Sequence, residues 1–298
     1  MRIVSLLPAA TDIVAALGAT SLLVGRTHEC DWPPNALGGI PVVTETSLPS
    51  DLSSREISDA LGGVHQGSSI YHIDHALLAR LQPDIILTQD LCAACAVSYK
   101  TVNDAVRLLD LPTRVVSLEP RTIGGILTAV DTVAELIGAG AAAGRIRVDA
   151  EERLTALPGA AVDGPRVLFV EWLDPLMPGG HWVPEQIRHA GGRSVFLDVG
   201  AHSVPQQIER LAAAAPDIVI FGPCGFTPER TVAELDVARA WPCWSELPAV
   251  RAGQIWVVDG PAYFNRPGPR VIDGAEILAA IVAGNAHPGA TNVASSSM

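Results

Sequence analysis

The sequence predicts an α/β protein of two similar lobes, each with a parallel sheet, joined by one long connecting helix. Three observations carry this. Pro83-Asp84-Ile85-Ile86-Leu87-Thr88 reads as a buried strand, and the chain writes it again as Pro216-Asp217-Ile218-Val219-Ile220-Phe221. A strand repeated in the second half of a chain marks two related halves. Short β-branched runs alternate with helical periods on both sides of the middle, which implies parallel sheets covered on both faces. Between the halves, residues 122–157 lack proline and keep a helical apolar period through Ile126, Val130, Val133, Ile137 and Ile146. A helix of roughly 30 residues there is about 45 Å long, enough to cross the back of two lobes. The divisions are then 1–120 for the first lobe, 121–158 for the linker helix, 159–285 for the second lobe and 286–298 for a flexible tail.

In the first lobe, strand 3–7 leads to helix 10–17, stopped by Gly18. Strand 22–26 ends in Thr27-His28-Glu29-Cys30-Asp31-Trp32-Pro33-Pro34, whose prolines mark a loop. Strand 41–44 precedes a polar stretch with a short helix at 55–61. Helix 73–81, strand 84–88, helix 98–109 and strand 114–118 complete the lobe. In the second, strand 166–172 runs into a Pro/Gly loop at 174–181. Helix 183–190, strand 195–196, helix 204–214, strand 217–222, helix 228–239, strand 254–258 and helix 270–283 follow. The small, polar residues after 285 are expected to fray.

With 298 residues, 48% hydrophobic and 17% charged, the chain is a well-buried globular protein. Its net charge of -12 argues against a nucleic-acid partner, since no basic patch is present to displace counterions from phosphates. No apolar run approaches the roughly 20 residues of a membrane span. Asp12 interrupts the N-terminal apolar run, which reads as strand, turn and helix. The expectation is a cytoplasmic chain as written, with reduced cysteines; a start further upstream would instead make it periplasmic or extracellular.

In parallel α/β sheets, ligands bind beyond the carboxyl ends of the strands, so the loops there are the candidate site. Cys30, Cys92, Cys95 and Cys224 all follow predicted strands, and His28 shares the Cys30 loop. Four thiolates and an imidazole can hold Zn²⁺ or an iron–sulfur cluster. Cys92 and Cys95 alone can equally be a redox pair at a helix start, and any one of them can be a small buried hydrophobe. Cys243 reads as structural. A second group is Glu171, Trp172, His181 and Trp182, where aromatics and polar points suit a small-molecule cleft or simply pack the lobe. A third is Tyr263, Asn265 and Arg266 before a rigid Pro-Gly-Pro turn. Arg266 can clamp an anionic group or cap the turn. No phosphate-binding loop, nucleophile elbow or zinc-protease motif is present, so the motifs favour a binding protein over an enzyme.

The stretch 2–13, with Leu23-Val24-Gly25-Arg26-Thr27, Leu81-Gln82-Pro83-Asp84-Ile85-Ile86, Pro216-Asp217-Ile218-Val219-Ile220 and Leu247–Ile255, resembles the substrate-binding proteins of vitamin B12, haem and siderophore ABC importers. The resemblance runs over residues 2–283 and is nearest to the vitamin B12-binding branch. It implies two Rossmann-like lobes, a rigid connecting helix, and a ligand, cobalamin, held in the cleft between the lobes by Trp32, Trp172, Trp182 and Tyr263, with His181 or His28 available to cobalt. It also implies docking to an ABC permease through one acid per lobe. Glu209 matches in the second; the first shows His75-Ala76, with Asp74 beside them. Three departures set the chain apart: no export signal as written, an incomplete pair of docking acids, and strand-end cysteines. They define the expectation of a cytoplasmic offshoot. The readings that remain are a corrinoid-binding protein, a zinc or iron–sulfur protein, and a redox enzyme using Cys92 and Cys95.

Overall fold

The computed structural model describes residues 1–49, 51–61, 71–89, 99–108 and 112–294. The chain divides into two compact units. One comprises Met1–Leu52, Glu56–Pro120 and Gly125–Arg147, the other Ser53–Arg55, Arg121–Gly124 and Val148–Met298.

The elements of the first half are β1 (Ile3–Ser5), α1 (Pro8–Ala16), β2 (Leu23–Arg26), β3 (Thr44–Thr46), α2 (Ser54–Ala60), β4 (Tyr71–Ile73), α3 (His75–Leu81), β5 (Ile85–Thr88), α4 (Tyr99–Leu108) and β6 (Arg114–Ser117), followed by α5 (Ile123–Ile137) and α6 (Gly140–Ala156). Among the described residues, one sheet runs β2-β1-β5-β6 with every pair parallel, and β3 and β4 form a separate antiparallel ribbon. Successive residues of β5 serve opposite faces. Ile85 and Leu87 join Ile3, Ile13, Val130 and Val133 on one side, while Ile86 joins Val4, Leu78 and Val102 on the other. Such two-sided burial is why β5 reads as continuous hydrophobics rather than an alternation. Pro8 opens α1 two residues earlier than expected, because its fixed φ suits the first helical turn.

The second half holds β7 (Arg166–Trp172), β8 (Met177–Pro178), α7 (Val183–His189), β9 (Arg193–Ser194), α8 (Arg210–Ala214), β10 (Ile218–Phe221), α9 (Pro228–Ala233), α10 (Leu235–Arg239), α11 (Pro248–Arg251), β11 (Ile255–Val258), α12 (Gly260–Tyr263), α13 (Val271–Val282) and β12 (Ala290–Asn292). Its sheet runs β12-β11-β10-β7-β8, with β9 also on β7. The strands β9, β7, β10 and β11 are parallel, and β8 and β12 are antiparallel. Leu168, Val170, Val219, Phe221 and Val257 pack one face. On the other, Phe169 meets Phe264 at 4.8 Å between ring centroids.

Several expectations change. The expected single helix over 122–157 is two helices. Gly138 takes φ +71°, and the Ala139 N–H bonds the Ala134 carbonyl at 2.8 Å, a six-to-one closure that ends α5 with a left-handed cap. The strand expected at 195–196 lies at 193–194, because Phe196 has φ +78°, which no strand accommodates. Helix 204–214 shrinks to 210–214 after a loop that contains Pro205. Helix 228–239 breaks at Glu234, a break that nothing in the sequence marks. The tail expected to fray supplies β12, which covers the edge of β11, and Val293 is 4% exposed.

The two halves share one device. α3 and α8 both end in a left-handed cap, at Gln82 (φ +40°) and Ala215 (φ +42°), each bonding back into its own helix. Each cap is followed by Pro-Asp. The Asp84 carboxylate accepts the Arg2 N–H at 2.7 Å, and the Asp217 carboxylate accepts the Arg166 N–H at 2.8 Å. In both sheets the aspartate therefore locks the start of the central strand to the start of its neighbour.

Candidate functional site

The carboxyl ends of β1, β2 and β5 carry small hydroxyls in the first unit. Thr11 Oγ1 donates to Ser5 Oγ at 2.8 Å and lies 2.9 Å from Cys30 Sγ. Cys30 is 5% exposed, and its carbonyl accepts from the Arg26 guanidinium at 3.0 Å. Its thiol is thus enclosed in a hydroxyl chain. His28 Nδ1 sits 2.8 Å from Thr44 Oγ1, which donates to Thr27 Oγ1 at 2.9 Å, and its ring packs on Tyr71. The Glu29 carboxylate is 3.2 Å from His28 Nε2, off the line a hydrogen bond needs. Trp32 is half-buried and precedes a cis peptide to Pro33.

The second unit presents different chemistry at the ends of β7, β9, β10 and β11. Glu171 closes β7. Burial pushes its carboxyl above the usual carboxylate range, while a hydrogen bond from Ser203 and one from the Gly180 N–H, at 3.3 Å, oppose the shift. Ser203 Oγ also accepts from the Gly180 N–H at 3.0 Å, and its single proton is shared between Glu171 and the Pro178 carbonyl 3.0 Å away. A Cβ on Gly180 would lie 2.5 Å from the Ser203 nitrogen, so only glycine lets these two loops meet.

His181 follows with φ +53°. Its N–H donates to the Ala201 carbonyl at 2.6 Å, and its own carbonyl accepts from the Gly200 N–H at 2.8 Å. Its Nε2 stands 3.1 Å from His202 Nδ1. Burial, with the positive fields of His202 and Arg121, lowers its pKa to about 4. The imidazole is therefore neutral at ordinary pH.

The two indoles are largely covered. Trp172 is 6% exposed, donates to the Asp174 carbonyl and meets Phe226 edge-on at 5.4 Å. Trp182 is 5% exposed and lies 5.7 Å from the His181 ring, and its indole N–H has no hydrogen-bond partner among the described residues. With its amide nitrogen facing the Gly260 and Gly222 carbonyls, at 2.7 and 3.2 Å, Asn265 ties the β10 and β11 exits together. Tyr263 is half-buried, with the Arg270 guanidinium 5.9 Å from its ring centroid; Arg266 and Cys224 are half-buried as well.

Cys92 and Cys95 lie outside the described residues. Among the described residues no three His, Cys, Asp or Glu side chains come together as a metal cage. Cys243 is buried, its Sγ 3.8 Å from the Ile208 carbonyl, and burial raises its thiol pKa. This is the structural role expected. The sequence reading missed His202 and Ser203, which sit in a loop with no periodic pattern.

A family model described as periplasmic binding protein matches residues 3–262. The vitamin B12-binding protein of Vibrio cholerae is 24% identical over 279 residues, covering 92% of this chain and 86% of that protein. Among solved structures, the periplasmic vitamin B12 binding protein of Vibrio cholerae superposes with a TM-score of 0.64 at 22% identity, covering 95% of this chain and 96% of that one. A periplasmic haem binding protein from Pseudomonas aeruginosa gives 0.68 at 21% identity, covering 96% and 94%. These likenesses bear out the two-lobe α/β fold with parallel sheets.

Proposed function

The chain belongs to the periplasmic binding protein family, and we propose that the small molecule it binds is a corrinoid of the cobalamin type. The observation that carries this reading is the match, over nine-tenths of the chain, to a protein named for vitamin B12 binding. Tyr263, Arg266 and Trp32, half-buried at strand-end loops, are the proposed contacts. Glu171, Trp172, Trp182 and Asn265 hold those loops in place, and His181 offers a neutral imidazole. The second reading is haem, favoured by the higher TM-score of the haem binding protein. Cluster and thiol-redox readings have no support among the described residues.

Asp74 and Glu209 are the proposed permease contacts. They are exposed and hold matching places, as N-cap residues of α3 and α8 ahead of the repeated Pro-Asp strands. No described helix is long and apolar enough to cross a membrane. The relatives support a periplasmic location, and none supports the cytoplasmic expectation.

Tryptophan fluorescence, titrated separately with cobalamin and with haem, tests the proposal. Saturable one-to-one quenching by cobalamin at roughly 10–50 µM or below is expected. Quenching by haem alone would replace the corrinoid with haem, and no response to either would remove both.

A further inference from the structure

Where the loops 178–181 and 198–203 meet, the count of protons decides the state of one carboxyl. Ser203 Oγ accepts from the Gly180 N–H at 3.0 Å and faces two acceptors, the Glu171 carboxyl and the Pro178 carbonyl, with a single proton to give. An ionised Glu171 would take that proton and leave the Pro178 carbonyl without it. A neutral Glu171 resolves the conflict. Its own proton goes to Ser203 Oγ, the Ser203 proton goes to Pro178, and the Gly180 N–H serves Ser203 and, at 3.3 Å, Glu171 Oε2. Every proton then has an acceptor, and a hydroxyl that accepts twice and donates once is fully used.

The surroundings agree with a neutral group. The loop after β8 brings His181, the loop ahead of α8 brings Asp198 and His202, and the loop after β10 brings Cys224, whose N–H bonds the Glu171 carbonyl at 3.1 Å. None of these acts on the carboxyl as a charge. Arg121 acts on His181 and not on Glu171, and besides burial only Ser203 and Gly180 bear on Glu171. A shut-in carboxyl with no cation beside it keeps its proton.

We propose that Glu171 works as a neutral carboxyl that donates to Ser203 and so positions the 178–181 and 198–203 loops for the ligand, which links ligand binding to one proton. Ionisation turns the Ser203 proton back to Glu171 and leaves a charge that water must enter the junction to solvate. The His181 N–H to Ala201 bond and the Gly200 N–H to His181 bond lie along the same seam, so the loosening reaches the His181 loop. The ligand binds the locked form, so affinity is greatest where Glu171 is protonated and falls as pH rises through its folded value. By the same linkage the bound ligand strengthens the hold of Glu171 on its proton. The ligand named in the test comes from the corrinoid reading; the lock is a property of the loops alone.

Two measurements separate them. At roughly pH 6, where an ordinary glutamate is ionised, the infrared spectrum of the wild type should carry a protonated-carboxyl band that Glu171→Gln lacks. The dissociation constant for cyanocobalamin, read by tryptophan fluorescence, should rise with pH by up to about tenfold per unit above the Glu171 titration. Glu171→Gln keeps a neutral donor and should bind with a flat profile, while Ser203→Ala, which cuts the relay at its middle, should bind more weakly at every pH. Absence of the band, or equal pH profiles in the wild type and Glu171→Gln, would overturn the lock. If cyanocobalamin does not bind, the corrinoid reading falls and the band alone decides: present, it supports the lock, and absent, it overturns it. Binding with equal profiles leaves the corrinoid reading standing and overturns the lock.

Discussion

The first unit's sheet, β2-β1-β5-β6, and the parallel part of the second unit's sheet, β9-β7-β10-β11, share one strand order and one Pro-Asp lock, yet their carboxyl edges differ. The first edge carries two hydroxyl groups, Ser5 and Thr11 against the buried Cys30 thiol and Thr27 and Thr44 against His28. The second gathers a buried carboxyl, an imidazole pair and aromatic rings around two loops that touch through backbone. On one strand order, the two edges carry different loops: a His28–Glu29 contact beside hydroxyls at the first, and a buried carboxyl with two facing imidazoles at the second. Even the lock differs. The Arg2 side chain turns away to the Leu81 carbonyl, whereas Arg166 adds a two-pronged ion pair to Asp217, at 2.9 and 3.0 Å, that holds the aspartate pKa below its usual range.

The largest expected effects come from glycines where backbone meets backbone. A Cβ on Gly260 would sit 2.4 Å from the Gly222 carbonyl oxygen, whereas one on Gly25 meets only side-chain carbons at 2.9–3.1 Å. Gly260→Ala should lower stability by about 3 kcal/mol and Gly25→Ala by about 1 kcal/mol. Urea unfolding reads both, and equal costs would show that the β10–β11 exit is no tighter than the first unit's core.

Next in size is the acid limb of stability. The His181 pKa is lowered in the folded state, so between pH 6.5 and about 4 the unfolded chain takes up a proton that the native protein refuses. Stability should therefore fall as pH drops through that window. His181→Gln should flatten the limb by up to one proton's slope, ~1.4 kcal/mol per pH unit. Glu171 has the opposite sign. Its raised pKa adds stability at low pH that is lost as pH rises through the folded value, and Glu171→Gln should remove that loss.

The smallest effects concern the paired locks. Asp217→Ala removes a backbone bond and a half-exposed ion pair and should cost about 1–2 kcal/mol, while Asp84→Ala removes mainly the backbone bond and should cost about 1 kcal/mol or less. A reversal of that order would mean that the Arg166 side chain contributes nothing.

The repeated strand was legible because β5 and β10 are buried on both faces and opened by the same dipeptide. The division of the 122–157 segment was half legible: its glycines were visible, but the left-handed φ of Gly138 was not. β12 was hidden because a three-residue edge strand is defined by its distant partner β11. Trp172 and Trp182 read as lining from their loop positions, yet both are buried, since an aromatic beside a strand end packs as readily as it binds. His181 was found by composition. His202 was missed, because only the paired backbones of 180–182 and 200–203 bring it near.

Hydrogen exchange with and without cobalamin tests the contrast between the two edges most directly. Slower exchange at 171–182, 199–203 and 259–266, exceeding any change at 27–30, is the predicted result. Protection confined to 27–30, or none anywhere at saturating cobalamin, would contradict it.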